Sequence, residues 1–523
     1  MLSLILFPTL KIEANQGTIV VPDDYSTIQE AINAASEGDT VFVRSGYYEK
    51  EKSFSVININ KRISLIGEYT ESVINGRIVV TANNVSIEGF TIQNSGWLRA
   101  GIEVSSLNCR ITKNKVLNNY WGIELSDLNV VSMNIVLNNR AGVSTSGHNN
   151  TIFGNLIENN TKGIELFRDS ANNTVQNNLI QKNNKGIELY ESSRNRIKNN
   201  IIRKNSNGIC LEYSLNNIII ENEISYNTEE GILFKEGSQN NLIFHNNFIR
   251  NDPTVFFEDG QVIIYRQVFI WAETGPQFLW WPAYHLPNSW DDGYPSGGNY
   301  WSDYEGIDKY SGLAQDEPWG DGIFDDFYQI PNEATLVNEE RESAKNRDIY
   351  PFTNPFPIKD ITLEIEPEGK SIEEGDIAEF TVEICNLKNT TLVYNISIVG
   401  IDSTYILISS PSISLRAYEK ATIPVKIRPS NLTTDKNYNL MIIAMNKKLV
   451  IEAFTLVVKK KQDKNQDNFT FLLIGTMILT VALTMFVVKK IKKARRPHFK
   501  FPSFFVLVKY NTVIFLSNFP AKK

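Results

Sequence analysis

Histidine and cysteine are scarce in this chain, with four and three residues among 523. Three cysteines do not make a disulfide framework. Cys109 and Cys210 fall in different phases of a repeat and about five rungs apart. At about 4.8 Å per rung that is roughly 24 Å, too far to bridge. Cys385 lies in a different segment, and all three are expected to be buried thiols. The histidines His148, His245, His285 and His498 are dispersed, with no Cys/His/Met cluster of the kind that would hold copper. Excess positive charge is absent until the C-terminus. The net charge is −7, residues 489–523 hold ten Lys/Arg and no acid, and residues 1–488 therefore carry −17. An acidic body of this kind is a poor candidate for binding nucleic acid.

One phrase is abundant: Gly followed by Ile or Val, then a polar residue, then usually an apolar one. It stands at Gly101-Ile102, Gly122-Ile123, Gly142-Val143, Gly163-Ile164, Gly186-Ile187, Gly208-Ile209 and Gly231-Ile232, at spacings of 20 to 23 residues. A unit this short buries no core alone and must stack on its neighbours. In Gly186-Ile187-Glu188-Leu189-Tyr190 the apolar residues alternate, which is a strand period. Further short strands recur as Asn173-Thr174-Val175 and Asn178-Leu179-Ile180. No segment of the repeat is long and apolar enough for a crossover helix. Three short strands in about 22 residues predict one turn of a parallel β-helix. Asparagine marks the corners in two files: Asn114, Asn134, Asn155, Asn178, Asn200, Asn222, Asn247, and Asn118, Asn138, Asn159, Asn183, Asn205, Asn227, Asn251. Asparagine tolerates left-handed backbone, and its stacked amides can bond from rung to rung.

The flanks divide the chain further. Residues 1–16 read as a signal-like segment without a basic start. Residues 17–252 form the coil, opened by an amphipathic helix that Ser26 or Thr27 caps and that covers the open end. Residues 253–357 are rich in Trp, Asp and Gly. Residues 359–459 alternate at short intervals, the pattern of an immunoglobulin-like β-sandwich standing as a stalk. A polar linker, 460–468, leads to an uncharged run at 469–488, long enough for one transmembrane helix. Six cations follow within residues 489–496, so 489–523 is expected as a cytoplasmic tail and the large N-terminal part as extracellular. Eight Asn-x-Ser/Thr sequons agree with an exported chain. The expected fold class is all-β: a right-handed single-stranded parallel β-helix, then an Ig-like β-sandwich and one C-terminal transmembrane α-helix.

Val21-Pro22-Asp23-Asp24-Tyr25-Ser26-Thr27-Ile28-Gln29-Glu30-Ala31-Ile32 and Glu37-Gly38-Asp39-Thr40-Val41-Phe42-Val43 resemble the opening of pectate-lyase-like parallel β-helix proteins. The Asn/Gly-Ile repeats resemble the NosD-type, carbohydrate-binding and sugar-hydrolase (CASH) β-helix. Trp290-Asp291-Asp292-Gly293-Tyr294, Gly298-Asn299-Tyr300-Trp301-Ser302-Asp303-Tyr304 and Arg347-Asp348-Ile349-Tyr350-Pro351 are similar to a block of archaeal cell-surface members. Phe324 stands where that block usually has glycine. The resemblance covers about residues 18–355. It implies the fold and a surface setting more than an activity.

Three groups of residues could carry chemistry. Asp316, Asp321, Asp325 and Asp326 could give oxygens to Ca²⁺, although the spacing is not that of an EF-hand. Trp290, Tyr300, Trp301 and Tyr304 could stack on sugar rings or form a small core. Glu103, Glu124, Glu165 and Glu188 share one outward phase of the repeat, broken by Ser144, Cys210 and Leu233. Glu165 and Glu188, about 5 Å apart on adjacent rungs, would raise each other's pKa and could act as a retaining glycosidase pair. The competing expectation is a solvated face. Arg196-Ile197-Lys198 and Gly147-His148-Asn149 echo pectin-hydrolase motifs by letter, but the required aspartates are missing. The expected role is binding of a cell-envelope or extracellular polysaccharide. The alternatives are a polysaccharide lyase or glycoside hydrolase of the same fold, and a NosD-like accessory of a copper system.

Overall fold

The computed structural model describes residues 17–48, 55–68, 71–235, 237–251, 288–330, 347–428, 435–446 and 448–461, with the backbone of short strands at 257–258, 261–262, 268–270, 504–509 and 512–517. The signal-like segment and the apolar run 469–488 lie outside the described residues. No helix among the described residues is long and apolar enough to cross a membrane. Residues 504–509 and 512–517, expected as plain tail, pair as an antiparallel hairpin.

The repeat is a right-handed coil with three parallel sheets along its length. Thr151–Phe153, Leu156–Glu158 and Lys162–Phe167 form one turn, and each strand pairs with its counterpart one turn away. Ile102, Ile123, Val143, Ile164, Ile187 and Ile209 stack in register as one fully buried column. The helix Ile28–Ala34 begins at a capping box made by Thr27 and Glu30, and it buries Ile28, Ala31 and Ile32 in the coil core. The glycine of each phrase from Gly101 to Gly208 sits inside a strand, so a bend does not account for it. Its reason is space: a Cβ on Gly163 would lie 2.4 Å from the Gly186 carbonyl oxygen of the next turn. Any side chain there would force the rungs apart.

The corners carry three asparagine ladders, not two. One runs Asn114, Asn134, Asn155, Asn178, Asn200, Asn222, then Asn246 in place of the expected Asn247, and ends on Asn299. The second runs Asn119, Asn139, Asn160, Asn183, Asn205, Asn227, Asn251. Asn118, Asn138 and Asn159, expected in that file, stand one residue earlier, at φ of 57°, 55° and 57°. The left-handed residue and the ladder residue are thus successive positions with separate tasks. The third ladder, Asn173, Asn195, Asn217, Asn241, had no counterpart in the sequence expectation. Each ladder amide is buried and fully used. The Asn178 Nδ2 donates to Ile152 O at 2.9 Å, Gln176 O at 3.0 Å and Asn200 Oδ1 at 3.0 Å, and its Oδ1 accepts from Asn155 N and Nδ2 at 3.0 and 2.9 Å.

Residues 361–459 form a sandwich of a four-stranded and a five-stranded sheet around their own core. It is not a stalk standing off the coil. Met441, Ile443 and Ile451 on its outer face pack against Ile135, Leu137, Leu156, Leu179 and Ile201 on the flank of the coil's second sheet. Those coil positions point outward, on either side of the inward column Val136, Ile157, Ile180, Ile202. An apolar outward row demands a cover. Arg203 binds Glu452 through both guanidinium nitrogens, at 3.2 and 2.7 Å, and Lys359 meets Glu223 at 2.7 Å, closing the rim.

Two outcomes test this architecture. Asn178→Ala leaves the Asn155 donors without their acceptor and should cost about 3 kcal/mol or more in chemical denaturation, at about 1–3 kcal/mol per orphaned buried group. Asn177→Ala, at the left-handed position, should cost only about 1 kcal/mol. Leu156→Asp with Leu179→Asp should release the sandwich from the coil, read as a larger radius of gyration in small-angle scattering, because two unpaired carboxylates would otherwise be buried.

Candidate functional site

The outward glutamates stand in register as the repeat phase requires: Glu103, Glu124, Ser144, Glu165, Glu188, Cys210, Leu233. They do not form a solvated face. Glu165 and Glu188 are only 8% and 5% exposed. Lysines from the neighbouring row close over them. Lys162 Nζ reaches Glu165 Oε1 at 2.5 Å and also pairs with Glu188, and Lys185 pairs with Glu188. The Ser144 hydroxyl donates to Glu165 Oε2 at 2.9 Å. The expected mutual repulsion is therefore replaced by an ammonium between the carboxylates. Burial pushes Glu188 up, but the hydrogen bonds from Lys162 and Lys185 outweigh it and hold the carboxyl below its ordinary value. For both lysines burial acts downward, and the carboxylate bonds outweigh it and raise them. Glu188 is thus held as an anion, and a retaining glycosidase also needs a proton-carrying acid. At the end of the row burial pushes the Cys210 thiol up to about 12, so it is no thiolate at neutral pH.

The other end of the row is different. Glu103 pairs with Arg77 at 3.3 Å. Burial first, and Glu103 second, push the Glu124 carboxyl above its ordinary value. Next to this pair the corner between Phe90–Gln93 and Ala100–Val104 takes six residues, where the corresponding corners of the next five turns take three. It carries Trp97, 78% exposed. Trp97 meets Tyr120 edge-on at 5.4 Å, Tyr120 meets Trp121 at 4.7 Å, and Arg140 lies over the Tyr120 ring at 4.9 Å. This group was missed in the sequence. Its signal was the lengthened corner, a break in the repeat that carries a tryptophan.

The aromatic, acidic block closes the far end of the coil. Trp290 and Trp301 lie in the coil core, each 1% exposed. Trp301 stacks between Phe248 at 4.3 Å and Tyr328 at 4.1 Å. Their faces are covered by protein and cannot take a sugar. Tyr304 packs edge-on against Tyr328 and Phe324 and is partly buried, and Tyr300 extends the strand pairing of Asn247. Phe324 thus fills space in this plug. The four aspartates do not converge. Asp321 Oδ1 accepts from Ile323 N at 3.0 Å, and Asp325 accepts from the backbone of Lys309 and Tyr310 at 3.1 Å. Asp316 and Asp326 are exposed. Among the described residues no three His, Cys, Asp or Glu side chains come together where they could hold a metal ion.

The charged centre of the plug is Asp348, fully buried. Its Oδ2 accepts from Asn299 N at 2.7 Å and Trp301 Nε1 at 2.9 Å, and its Oδ1 from Tyr350 N at 3.2 Å. Burial outweighs these donors and raises the carboxyl to about 7 from 3.8. The folded state then binds more protons than the unfolded one between those values, so stability falls as pH rises from about 4 to about 7. Denaturation midpoints should show this decline in the parent chain, and the decline should flatten in Asp348→Asn. Equal slopes in the two proteins would contradict the assignment.

Residues 145–306 match the family model described as periplasmic copper-binding protein (NosD), and residues 61–192 match a protein of unknown function (DUF1565). No curated protein matches the chain. Among solved structures, the Azotobacter vinelandii mannuronan C-5 epimerase AlgE4 A-module is similar at 16% identity, with 46% of this chain and 86% of that chain covered and a TM-score of 0.36. The Dettilon tailspike protein (gp208) is similar at 13% identity over 84% and 92%, with a TM-score of 0.40. A mannuronic acid specific polysaccharide family 6 lyase from human gut microbiota is similar at 14% identity over 49% and 79%, with a TM-score of 0.35. The two family models overlap at residues 145–192, within the parallel coil, and with its right-handed winding they support a NosD-type β-helix repeat protein.

Proposed function

We propose that this is a membrane-anchored cell-surface protein whose coil binds an envelope or extracellular polysaccharide without cleaving it. The observation that carries the reading is the clamped row on the third sheet. Ser144, Glu165, Lys162, Glu188 and Lys185 hold one another across successive turns. Such a row presents the partly exposed lysines Lys162 and Lys185 one rung apart, a step of about 4.8 Å suited to a polymer, and the buried carboxylates beneath are neutralised by them instead of poised for proton transfer. The second sheet's flank is taken by the sandwich, and of the two remaining flanks the third sheet's is the one that carries this charged row. The anchoring part of the reading rests on the apolar run 469–488 and the cations after it.

Copper, named in the description of the NosD family, does not fit the described residues. His148 Nδ1 accepts from Ala171 N at 3.1 Å within a corner. His245 is stacked on Phe356 at 4.1 Å, with Nε2 2.7 Å from Ser296 O. The two are not neighbours, and the buried Cys210 remains a thiol.

The full chain in detergent, applied to a glycan array and followed by chain-length analysis of every bound glycan, tests the proposal. Binding with no shortening is expected. Shortening that Glu165→Gln or Glu188→Gln abolishes would replace the reading with a hydrolase or lyase, and stoichiometric copper after dialysis would replace it with metal handling.

A further inference from the structure

The corner at residues 94–99 is twice as long as the corresponding corners of the next five turns. Ser95 N donates to Asn119 Oδ1 at 3.0 Å, and the Ser95 hydroxyl donates to Arg99 O at 2.9 Å, closing a small loop. Gly96 and Leu98 within it lie at φ of 99° and 56°. A leucine in the left-handed region costs about 1 kcal/mol, a strain retained only where the surroundings impose it. The loop holds Trp97 out in solvent at 78% exposure, where Tyr47, the next most exposed aromatic among the described residues of the coil, is at 55%. Tyr120 supports Trp97 edge-on, and Arg140 covers one face of Tyr120, so the side chain of Tyr120 is held from two directions.

Trp121 links this aromatic group to the flank. By register it stands in the row of Ala141, Lys162 and Lys185, and Glu124 stands in the row of Glu165 and Glu188. Two turns further on, side chains of these same two rows touch. A ligand stacked at the corner therefore continues naturally along the polar row.

We propose that Trp97, Tyr120 and Trp121, with Glu103 and Glu124 beside them, form a subsite for the pyranose rings of a neutral polysaccharide. The inference rests on the polysaccharide-binding reading above and narrows it. The axial C–H face of a pyranose is apolar and matches an exposed indole, and its hydroxyls need acceptors at the rim. The two glutamates supply those acceptors. Charge decides between sugar classes. A polyuronate carries one carboxylate per ring and needs a partner cation for each. The corner itself holds Arg99, exposed, and Arg140, laid over the Tyr120 ring, which could meet one or two carboxylates; along the rest of the flank Arg77 is paired with Glu103, and Lys162 and Lys185 are paired with Glu165 and Glu188, so a run of carboxylates finds no partner there. Glu124 has no cation within ion-pair distance among the described residues, so it repels an added carboxylate.

Titration calorimetry on the full chain in detergent, with neutral gluco-, manno-, galacto- and xylohexaose and with hexagalacturonate, tests this. At least one neutral hexaose should bind and the hexagalacturonate should not. Trp97→Ala should weaken the neutral ligand about tenfold, equivalent to about 1.4 kcal/mol, while Trp97→Phe keeps most of the affinity. Trp97 is so exposed that its removal should leave the melting temperature unchanged, which serves as the folding control. Glu124→Gln should narrow the gap between neutral and acidic sugars. Undiminished binding by Trp97→Ala overturns this subsite and leaves the general reading standing. Tighter binding of hexagalacturonate by the parent chain overturns the neutral class. Failure of every neutral hexaose with the parent chain, while other glycans on the array bind, overturns the subsite alone, and silence on both overturns both readings.

Discussion

Everything in the coil depends on keeping successive turns in register at the corners, and buried asparagine amides do this. A parallel sheet three residues wide has few ladder hydrogen bonds per strand, and the chain must reverse direction three times per turn. At each reversal a backbone carbonyl would otherwise be left in the interior. The ladder amide supplies a donor to that carbonyl, and its oxygen takes the N–H and the amide of the turn before it. Because each member bonds to the next, a turn out of register would orphan groups on both sides. The isoleucine columns then have one alignment in which to pack.

The same spacing sets what the flanks can do. Since every outward position repeats along the axis, a residue type placed once per repeat becomes a row. An apolar row became the seat of the sandwich, and a charged row became a self-paired ladder of lysine and glutamate. Departures from the row carry individuality. The long corner with Trp97 and the plug around Asp348 are both places where the repeat is broken or ends.

The coil, its helical cap and the sandwich were legible because each rests on periodicity. The ladders were legible in kind but slipped by one residue at Asn247 in the first file and, in the second, at Asn118, Asn138 and Asn159. Asparagine suits both the left-handed position and the amide ladder, and those three are each followed by a second asparagine. Where Lys113 or Met133 stands first, the assignment was correct. The burial of Glu165 and Glu188 was not legible, since it depends on lysines three residues away folding over them. The seating of the sandwich had a signal in Leu440-Met441-Ile442-Ile443-Ala444, apolar on both faces of a strand as only a doubly covered strand is. The aspartates of the plug read as metal ligands because composition shows carboxylates but not the backbone N–H groups that occupy them.

The docked sandwich also sets a schedule for synthesis. Ile135, Leu156, Leu179 and Ile201 leave the ribosome about 240 to 310 residues before Met441 and Ile443, and at about 5–20 residues per second their cover arrives about 10–60 s later. Through that interval a nascent coil can already be wound, yet it presents a greasy stripe several turns long to its neighbours on the same message. Crowding of translating chains, more than the stability of the finished fold, is then the condition under which this architecture is most exposed to misassembly.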